Sequence, residues 1–167
     1  MPHLSEVHRF AKAIGDKLKQ QRLQLVTAES CTGGQLAQTI TSVPGASVWF
    51  ERGFITYSNL SKQQILGVDE ALLNQYGPVS EKTALAMATG ALKQSPANIS
   101  IAITGIAGPD GGSQEIPVGT VWTAWAKQKS FHQALCQHYA GDRLIIRYAA
   151  VEFALLTLLK LMEKEII

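Results

Sequence analysis

The sequence has few cysteines and no spacing of cysteine or histidine that would hold a metal. Its two cysteines, Cys31 and Cys136, are too few for a disulfide framework and do not form a C-x-x-C pair. The four histidines are scattered, and the nearest two, His132 and His138, would share a strand face without being neighbours. We therefore expect no structural disulfide, no metal and no cofactor.

An excess of charge of one sign and long apolar runs are also missing. The formal net charge is only +2 and the basic residues are not clustered, which argues against nucleic-acid or anionic-membrane partners but suits a small anionic substrate. No run of about 18 apolar residues and no signal-peptide core occurs, so we expect a cytoplasmic protein without a membrane partner. With 167 residues, 46% of them hydrophobic and 17% charged, the chain fits a single domain over residues 1–167.

Hydrophobic periodicity predicts that helices and strands alternate along the chain. An amphipathic helix is predicted over the first twenty or so residues, and strands over residues 24–28, 48–57, 98–104, 118–127 and 131–139. Further helices are predicted over residues 35–43, 61–66 and 69–75, after an N-cap at Ser80 with the stripe Ala84, Met87, Ala88 and Ala91, and along a final stripe of Leu144, Tyr148, Val151, Leu155, Leu158 and Met162. This order predicts an α/β fold, a three-layer α/β/α sandwich with a mixed β-sheet in which residues 98–104 form a central strand.

The stretch TAESCTGG, residues 27–34, is the most informative part of the sequence. It lies at a predicted strand-to-helix turn, where backbone N–H groups and the helix dipole stabilise an anion or a developing oxyanion. Ser30 is the candidate nucleophile in this field, and Gly33 and Gly34 permit positive φ or close backbone approach. A capped helix start explains the local pattern equally well.

A serine nucleophile needs a base, and the sequence offers an unusual one. Glu-Ser-Cys-Thr-Gly is not the G-x-S-x-G elbow, and no Asp and His follow at the spacing of an α/β-hydrolase. Lys62 is the candidate base, because a desolvated neutral lysine accepts a hydroxyl proton, although a solvated surface lysine is the more common case. Tyr57 is a proton relay, a substrate-orienting group or a half-buried strand residue.

Two neighbours of Ser30 also leave alternatives open. Cys31 at a helix N-terminus is a rival nucleophile as a thiolate, while a small buried residue beside Ser30 is the simpler interpretation. Glu29 either caps the helix or orients a group of the substrate. The sequence does not separate these roles.

A second glycine-rich loop and two arginines complete the candidate residues. Four glycines in residues 105–112 predict a rigid loop whose backbone approaches a ligand, with a plain connection as the alternative. Arg143 and Arg147 lie four residues apart at the start of the final helix, where cations oppose the dipole. A bound phosphate would relieve this conflict, and so would ordinary ion pairs with Asp142 or Glu152.

Four motifs, taken together and in this order, resemble those of the CinA C-terminal domain family: TAESCTGG, WFERGFITYSNLSK, ITGIAGPDGG and GDR. The resemblance covers nearly the whole chain and is strongest to the stand-alone members, the nicotinamide-nucleotide amidohydrolases. It implies a three-layer α/β/α domain that forms a homodimer or a larger homo-oligomer and needs no metal. The implied reaction is hydrolysis of nicotinamide mononucleotide to nicotinate mononucleotide and ammonia, a step in pyridine nucleotide recycling.

The matching motif positions imply roles for particular residues. Ser30 matches the family's nucleophile, Lys62 its base and Tyr57 the tyrosine of the same motif. The candidate substrate-binding residues, drawn from chemistry and position in the motifs, are Glu29, Thr32, Gly33, Gly34, Thr104, Gly105, Gly108, Arg143 and Arg147. Two alternative functions are a nucleotide-binding module without catalysis and an enzyme that uses the Cys31 thiol.

Overall fold

A five-stranded mixed sheet, in the order β2-β1-β3-β4-β5, forms the centre of the computed structural model, which describes residues 3–167, with side chains from Glu6 onward. The strands are β1 (Leu25–Glu29), β2 (Phe50–Ile55), β3 (Ile99–Gly105), β4 (Thr120–Lys127) and β5 (Phe131–His138). The helices are α1 (His3–Gln21), α2 (Gln35–Thr41), α3 (Asn59–Leu66), α4 (Glu70–Tyr76), α5 (Glu81–Lys93) and α6 (Arg143–Glu163).

The sheet is parallel on one side and antiparallel on the other. Strand β1 pairs in parallel with β2 and β3, whereas β4 runs antiparallel to both β3 and β5. Strand β3 is central and six of its seven residues are buried, as predicted. The register pairs Glu29 with both Ile55 and Ile103, so the carboxyl ends of the three parallel strands meet at one edge of the sheet.

Two apolar layers cover the faces of the sheet and confirm the predicted three-layer α/β/α architecture. Adjacent residues of β1 point to opposite faces of the sheet and so belong to different layers. Leu25 packs with α1, α2 and α6, whereas Val26 packs with α5. The predicted stripe of α5 is completely buried, and its small residues allow the helix to pack closely against its neighbours. A Cβ added at Gly90 would lie 2.1 Å from the Leu66 carbonyl oxygen of α3.

The final helix follows its predicted stripe except in its first turn. Val151, Leu155, Leu158 and Met162 are buried, and Trp125 of the sheet donates from Nε1 to the Ala154 carbonyl of α6 at 3.0 Å. Leu144 is 68% exposed, so its predicted place in the core is wrong. The first turn begins with Arg143, which lies at the rim of the cavity described below, and the turn is outside the packed layer.

The second predicted strand begins and ends differently in the structure. Residues Ala46–Val48 form a 3₁₀ turn, and strand β2 covers only Phe50–Ile55. The turn buries Trp49 completely against α1, where a Cβ at Gly15 would lie 2.5 Å from the indole ring. At the other end Tyr57 lies beyond the strand and is 61% exposed, so it is not a half-buried strand residue.

Within the described part of the chain, no helix has both the length and the apolar composition needed to span a bilayer.

Candidate active site

The residues singled out by the sequence converge on the carboxyl ends of the three parallel strands. Ser30 follows β1, Tyr57 follows β2 by two residues, and the loop of residues 105–111 continues from β3. These segments surround an open cavity of about 310 Å³. Its walls also include Cys31, Asn59, Lys62, Pro78, Val79, Thr104 and Arg143. The site therefore has the location typical of ligands in open α/β sheets.

The turn after β1 has the predicted strand-to-helix geometry. The Ser30 N–H donates to the Ile103 carbonyl at 2.9 Å, and the Gly33 N–H donates back to the Ser30 carbonyl at 3.0 Å. Gly33 and Gly34 have φ values of 58° and 96°, which a residue with a side chain adopts only with strain. The Ser30 hydroxyl makes no capping bond to α2, which removes the capped-helix explanation for this serine.

Glu29 performs the capping instead. Its side chain is 1% exposed, and Oε2 accepts from the N–H groups of Gly34 and Leu36, both at 3.0 Å. Oε1 accepts from the Ala37 N–H at 2.8 Å. Because both carboxylate oxygens are bound to the first turn of α2 and Glu29 does not line the cavity, the structure favours the capping role over the predicted contact with substrate.

Lys62 is buried against Ser30. Its side chain is 1% exposed, and Nζ lies 3.1 Å from Ser30 Oγ. Nζ also lies 3.0 Å from the Thr56 carbonyl oxygen and 3.4 Å from that of Tyr57. No carboxylate among residues 6–167 forms an ion pair with this lysine, and burial lowers its pKa from the ordinary lysine value. The alternative of a solvated surface lysine is therefore wrong.

Helix α3 brings Lys62 into this position. Ser58 caps the helix by accepting from the Ser61 N–H at 3.1 Å, while the Ser61 hydroxyl accepts from the Ser58 N–H at the same distance. This reciprocal cap begins the helix at Asn59, two residues before its predicted start. Lys62 is then the fourth helical residue, with its N–H bonded to the Ser58 carbonyl at 3.1 Å, and its side chain enters the site.

Cys31 lines the cavity beside Ser30, but its thiol is not activated. The residue is 5% exposed, and burial raises the pKa of its thiol to about 11, outweighing the opposite effects of its own N–H and of Arg147. A thiol with such a pKa is almost entirely protonated at neutral pH, and the protonated form is a poor nucleophile. The structure favours the interpretation of Cys31 as a small buried residue.

Tyr57 and Arg143 form a bridge across the rim of the cavity. Arg143 donates from Nη2 to the Tyr57 hydroxyl at 2.9 Å and from Nη1 to the Gly108 carbonyl at 2.8 Å. The tyrosine hydroxyl has no recorded bond to Ser30 or Lys62 in the described chain. This geometry favours a role in orienting substrate over the predicted proton relay.

Arg147, which the sequence predicted to contact substrate, lies apart from the cavity wall. It donates from Nη2 to the Thr32 carbonyl at 2.7 Å, and neither Arg147 nor Thr32 lines the cavity. Gly33 and Gly34 are also absent from the wall. These residues form the turn that holds Ser30.

The ion pairs suggested for the two arginines do not form. Within residues 6–167, neither Arg143 nor Arg147 has a carboxylate within ion-pair distance. The Asp142 carboxylate instead caps α6, accepting from the N–H groups of Leu144 and Ile145 at 2.9 and 3.0 Å. The guanidinium of Arg143 thus faces the cavity with no carboxylate of residues 6–167 within ion-pair distance, although Asp110 lines the same cavity.

The predicted residues at the end of β3 and in the loop after it shape the wall through backbone packing. Thr104 is 1% exposed, and its hydroxyl donates to the Pro78 carbonyl at 2.7 Å. A Cβ at Gly105 would lie 2.8 Å from the Thr120 carbonyl oxygen, and one at Gly108 would lie 2.5 Å from Val118 Cγ1. The two glycines are needed for this packing, and they also line the cavity.

Sequence reasoning missed Pro78 and Val79, and gave Asn59 no role. Pro78 and Val79 precede the N-cap of α5 and reach the cavity because Thr104 holds their loop from a strand 26 residues away. No local pattern indicates that contact. Asn59 stands two residues after Tyr57, so the motif itself was the available signal.

A larger cavity of about 610 Å³ lies at the opposite end of the sheet. It is bordered by the end of α5 and the β4–β5 turn, including Lys93, Lys127, Lys129 and His132. None of its titratable side chains is buried. Among residues 6–167, no group of three or more His, Cys, Asp or Glu side chains is arranged to hold a metal ion. The smaller cavity is therefore the one equipped for chemistry.

Comparison with known proteins agrees with the geometry. The family model of the CinA C-terminal domain matches residues 7–162. The chain is 48% identical over 154 residues to the nicotinamide-nucleotide amidohydrolase PncC of Escherichia coli K12, covering 92% of this chain and 93% of that protein. It is 45% identical over 158 residues to the PncC of Pseudomonas putida, covering 95% and 98%.

Solved structures show the same fold. The competence/damage inducible protein CihA from Agrobacterium tumefaciens superposes with a TM-score of 0.91 at 42% identity, over 93% of this chain and 95% of that one. A CinA superfamily protein from Escherichia coli gives 0.89 at 41% identity, over 93% and 90%. The chain belongs to the CinA C-terminal domain family.

Proposed function

We propose that this protein hydrolyses the carboxamide of nicotinamide mononucleotide to give nicotinate mononucleotide and ammonia, with Ser30 as nucleophile and Lys62 as general base. The observation that carries the proposal is the buried contact of 3.1 Å between Lys62 Nζ and Ser30 Oγ on the wall of the cavity. The name of the PncC relatives supports the substrate.

The surroundings of Lys62 suit a neutral amine. Such an amine has two N–H donors and one lone pair, and the carbonyl oxygens of Thr56 and Tyr57 stand ready to accept the two donors. The contact of Nζ with Ser30 Oγ is an N–H donation in the ammonium form, and in the neutral amine the lone pair is left to accept from the Ser30 hydroxyl. Burial disfavours the ammonium form, and no carboxylate within residues 6–167 restores it, so the lysine accepts a proton more readily than a surface lysine does.

In the acylation step, the Ser30 hydroxyl gives its proton to Lys62 Nζ as its oxygen attacks the carboxamide carbon. The carbonyl π electrons move to oxygen and form a tetrahedral oxyanion. When this collapses, the C–N bond breaks and the Lys62 ammonium protonates the departing nitrogen, which leaves as ammonia. Ser30 then carries the nicotinate acyl group as an ester.

In the deacylation step, a water molecule attacks the ester carbon and gives its proton to the same Lys62 amine. Collapse of the second oxyanion breaks the bond to Ser30 Oγ, which recovers a proton from Lys62. The acid is released, and both side chains return to their starting protonation states. The balance requires only water.

The rest of the cavity suits the nucleotide part of the substrate. Arg143 has no carboxylate partner within the described chain, so its guanidinium is the candidate for the 5′-phosphate. The loop of residues 105–111, Pro78 and Val79 would border the ribose and the pyridine ring. A cavity of about 310 Å³ lies at the lower end of the range for small-molecule sites, roughly 300–1,000 Å³.

The proposal includes the cellular setting implied by the family. The protein would act in pyridine nucleotide recycling in the cytoplasm, as a homodimer or higher homo-oligomer. Sedimentation of the purified protein at several concentrations tests the assembly, and a monomer at all of them would contradict it.

Ammonia release from nicotinamide mononucleotide by the purified protein, with a chelator present, tests the reaction. Ser30→Ala and Lys62→Met should abolish turnover, and Cys31→Ala should retain it. Loss of activity in Cys31→Ala alone would indicate the thiol mechanism. Tight binding of the nucleotide by the wild type without any ammonia would indicate a binding module without catalysis.

A further inference from the structure

We propose that Glu29 and Arg147 are positioning residues that hold the Ser30 turn from two sides and leave the N–H group of Cys31 for the oxyanion. The inference rests on the proposed amide hydrolysis. It assigns Arg147 to the turn, in place of the direct contact with substrate that its position on α6 suggested. Both residues would act through the backbone and without touching the reacting atoms.

Glu29 fixes the far end of the turn. Its carboxylate accepts from the N–H groups of Gly34, Leu36 and Ala37 at 2.8–3.0 Å, so α2 can start only where these three donors reach it. A carboxylate that accepts several backbone N–H groups at a helix start is held strongly, because the helix dipole favours its charge. Glu29 is the last residue of β1, and it thus ties the strand directly to the helix.

Arg147, which lies on α6, fixes the middle of the turn. Its Nη2 donates to the Thr32 carbonyl at 2.7 Å, across 115 residues, and the Gln35 N–H donates to the same oxygen at 3.1 Å. Two donors on one carbonyl set the plane of the peptide that joins Thr32 to Gly33. A Cβ on Gly33 would lie 3.4 Å from Nη2, an ordinary contact, so the positive φ of 58° is what favours glycine here.

The hydrogen bonds of the turn leave the N–H group of Cys31 for a ligand. The N–H of Ser30 donates to Ile103, that of Gly33 to Ser30 and that of Gln35 to Thr32. Glu29 takes the next free donors. The N–H groups of Cys31 and Thr32 donate to no acceptor elsewhere in the described chain, apart from the contact of the Cys31 N–H with its own thiol. Of these two residues only Cys31 lines the cavity, whereas Thr32 is completely buried.

The Cys31 donor belongs to the residue that directly follows the nucleophile. The N–H immediately after a catalytic serine is a common oxyanion donor, and preorganised donors are effective because they need no reorganisation when charge develops. Cys31 lines the cavity together with Ser30. Loosening the turn would therefore weaken stabilisation of the transition state more than binding of the ground state.

Kinetics of Arg147→Met, compared with Arg143→Met, test the assignment. On nicotinamide mononucleotide, Arg147→Met should lower kcat by about 10²-fold, the cost of misplacing a catalytic group by about an ångström, and leave KM near the wild-type value. The same loss should occur with the nucleoside that lacks the phosphate. Arg143→Met should raise KM for the nucleotide only.

Two further variants distinguish a positioning role from a direct phosphate contact. Arg147→Lys retains a donor for the Thr32 carbonyl and should recover part of kcat, and it carries the test if the methionine variant does not fold. Glu29→Gln places an amide N–H₂ among backbone N–H donors and should also lower kcat rather than raise KM. A rise in KM confined to the nucleotide in Arg147→Met and Arg147→Lys would overturn the proposal, since it would indicate a phosphate contact.

A second substrate separates this proposal from the proposed function. Burst release of p-nitrophenolate from p-nitrophenyl acetate reports acylation of Ser30 without any nucleotide. If the wild type acylates but does not hydrolyse the nucleotide, the substrate assignment fails, and a slower burst in Arg147→Met and Glu29→Gln still supports the turn. A burst of unchanged rate in both variants overturns the positioning role, and so does a wild type that does not acylate.

Discussion

The two ends of the sheet differ in how deeply lysine side chains are buried there. At the carboxyl end of the parallel strands, Lys62 is 1% exposed and touches Ser30 within a cavity of about 310 Å³. At the other end, a cavity about twice as large has Lys93, Lys127 and Lys129 on its border, and none of them is buried. Cavity size would select the second site, whereas desolvation of a base beside a nucleophile selects the first. Reactivity depends on the environment of each amine more than on the available space.

Replacing one lysine at each end should give the largest contrast. Lys62→Met removes the base and should lower kcat/KM for ammonia release by on the order of 10⁴-fold, the size of loss seen for members of a catalytic set. Lys129→Met should leave the rate near the wild-type value. Both rates are measured on the same nucleotide stock. An active Lys62→Met beside an inactive Lys129→Met would move the site to the larger cavity.

The pH dependence of kcat/KM should report the lowered pKa of Lys62. Burial lowers this pKa, and only the neutral amine accepts the Ser30 proton. The rate should therefore rise with pH, by about tenfold per pH unit while the lysine is mostly protonated, and level off below the ordinary lysine pKa. A rate that falls as pH rises through this range would contradict a lysine base.

The sequence predicted those parts of the site that depend on neighbouring residues. The apolar Leu25-Val26 and the paired Gly33-Gly34 bound the Ser30 turn locally, and the turn forms as expected. The order of elements likewise predicted the three layers and the central strand. These signals extend over a few residues, so they do not depend on where the rest of the chain packs.

What the sequence left open is set by contacts between distant segments. The carboxylate of Glu29 caps α2, and Arg147 reaches Thr32, but a sequence does not show in which direction either side chain points. The wall at Pro78 depends on Thr104, and the buried amine of Lys62 is held by carbonyl groups of the segment that directly follows β2. Leu144 fits a helical stripe and still lies outside the core.

Within the first site, a residue at the rim of the cavity should affect substrate binding more than the chemical step. Arg143 bridges Tyr57 and Gly108 at the rim and is proposed to meet the phosphate, so Arg143→Met should raise KM by about 10- to 100-fold, as expected for one or two charge-assisted hydrogen bonds. The effect on kcat should be smaller. Initial rates over a range of nucleotide concentrations measure both constants, and an unchanged KM would place the phosphate elsewhere.

The smallest effect is expected at Cys31, although it lines the same cavity as Ser30. Burial raises the pKa of its thiol to about 11, so the thiolate is scarce at neutral pH and the side chain serves mainly to fill space. Cys31→Ala should keep kcat/KM within a few-fold of the wild type and cost about 1 kcal/mol of stability, as for other small core truncations. Its backbone N–H, the proposed oxyanion donor, is retained in alanine.

Steady-state rates and urea unfolding of the variant measure the two effects, and a thiol-alkylating reagent gives an independent check. If alkylation stops the wild type but not Cys31→Ala, the added bulk blocks the cavity. A loss of turnover in Cys31→Ala itself would instead show that the neighbour of Ser30 takes part in the chemistry.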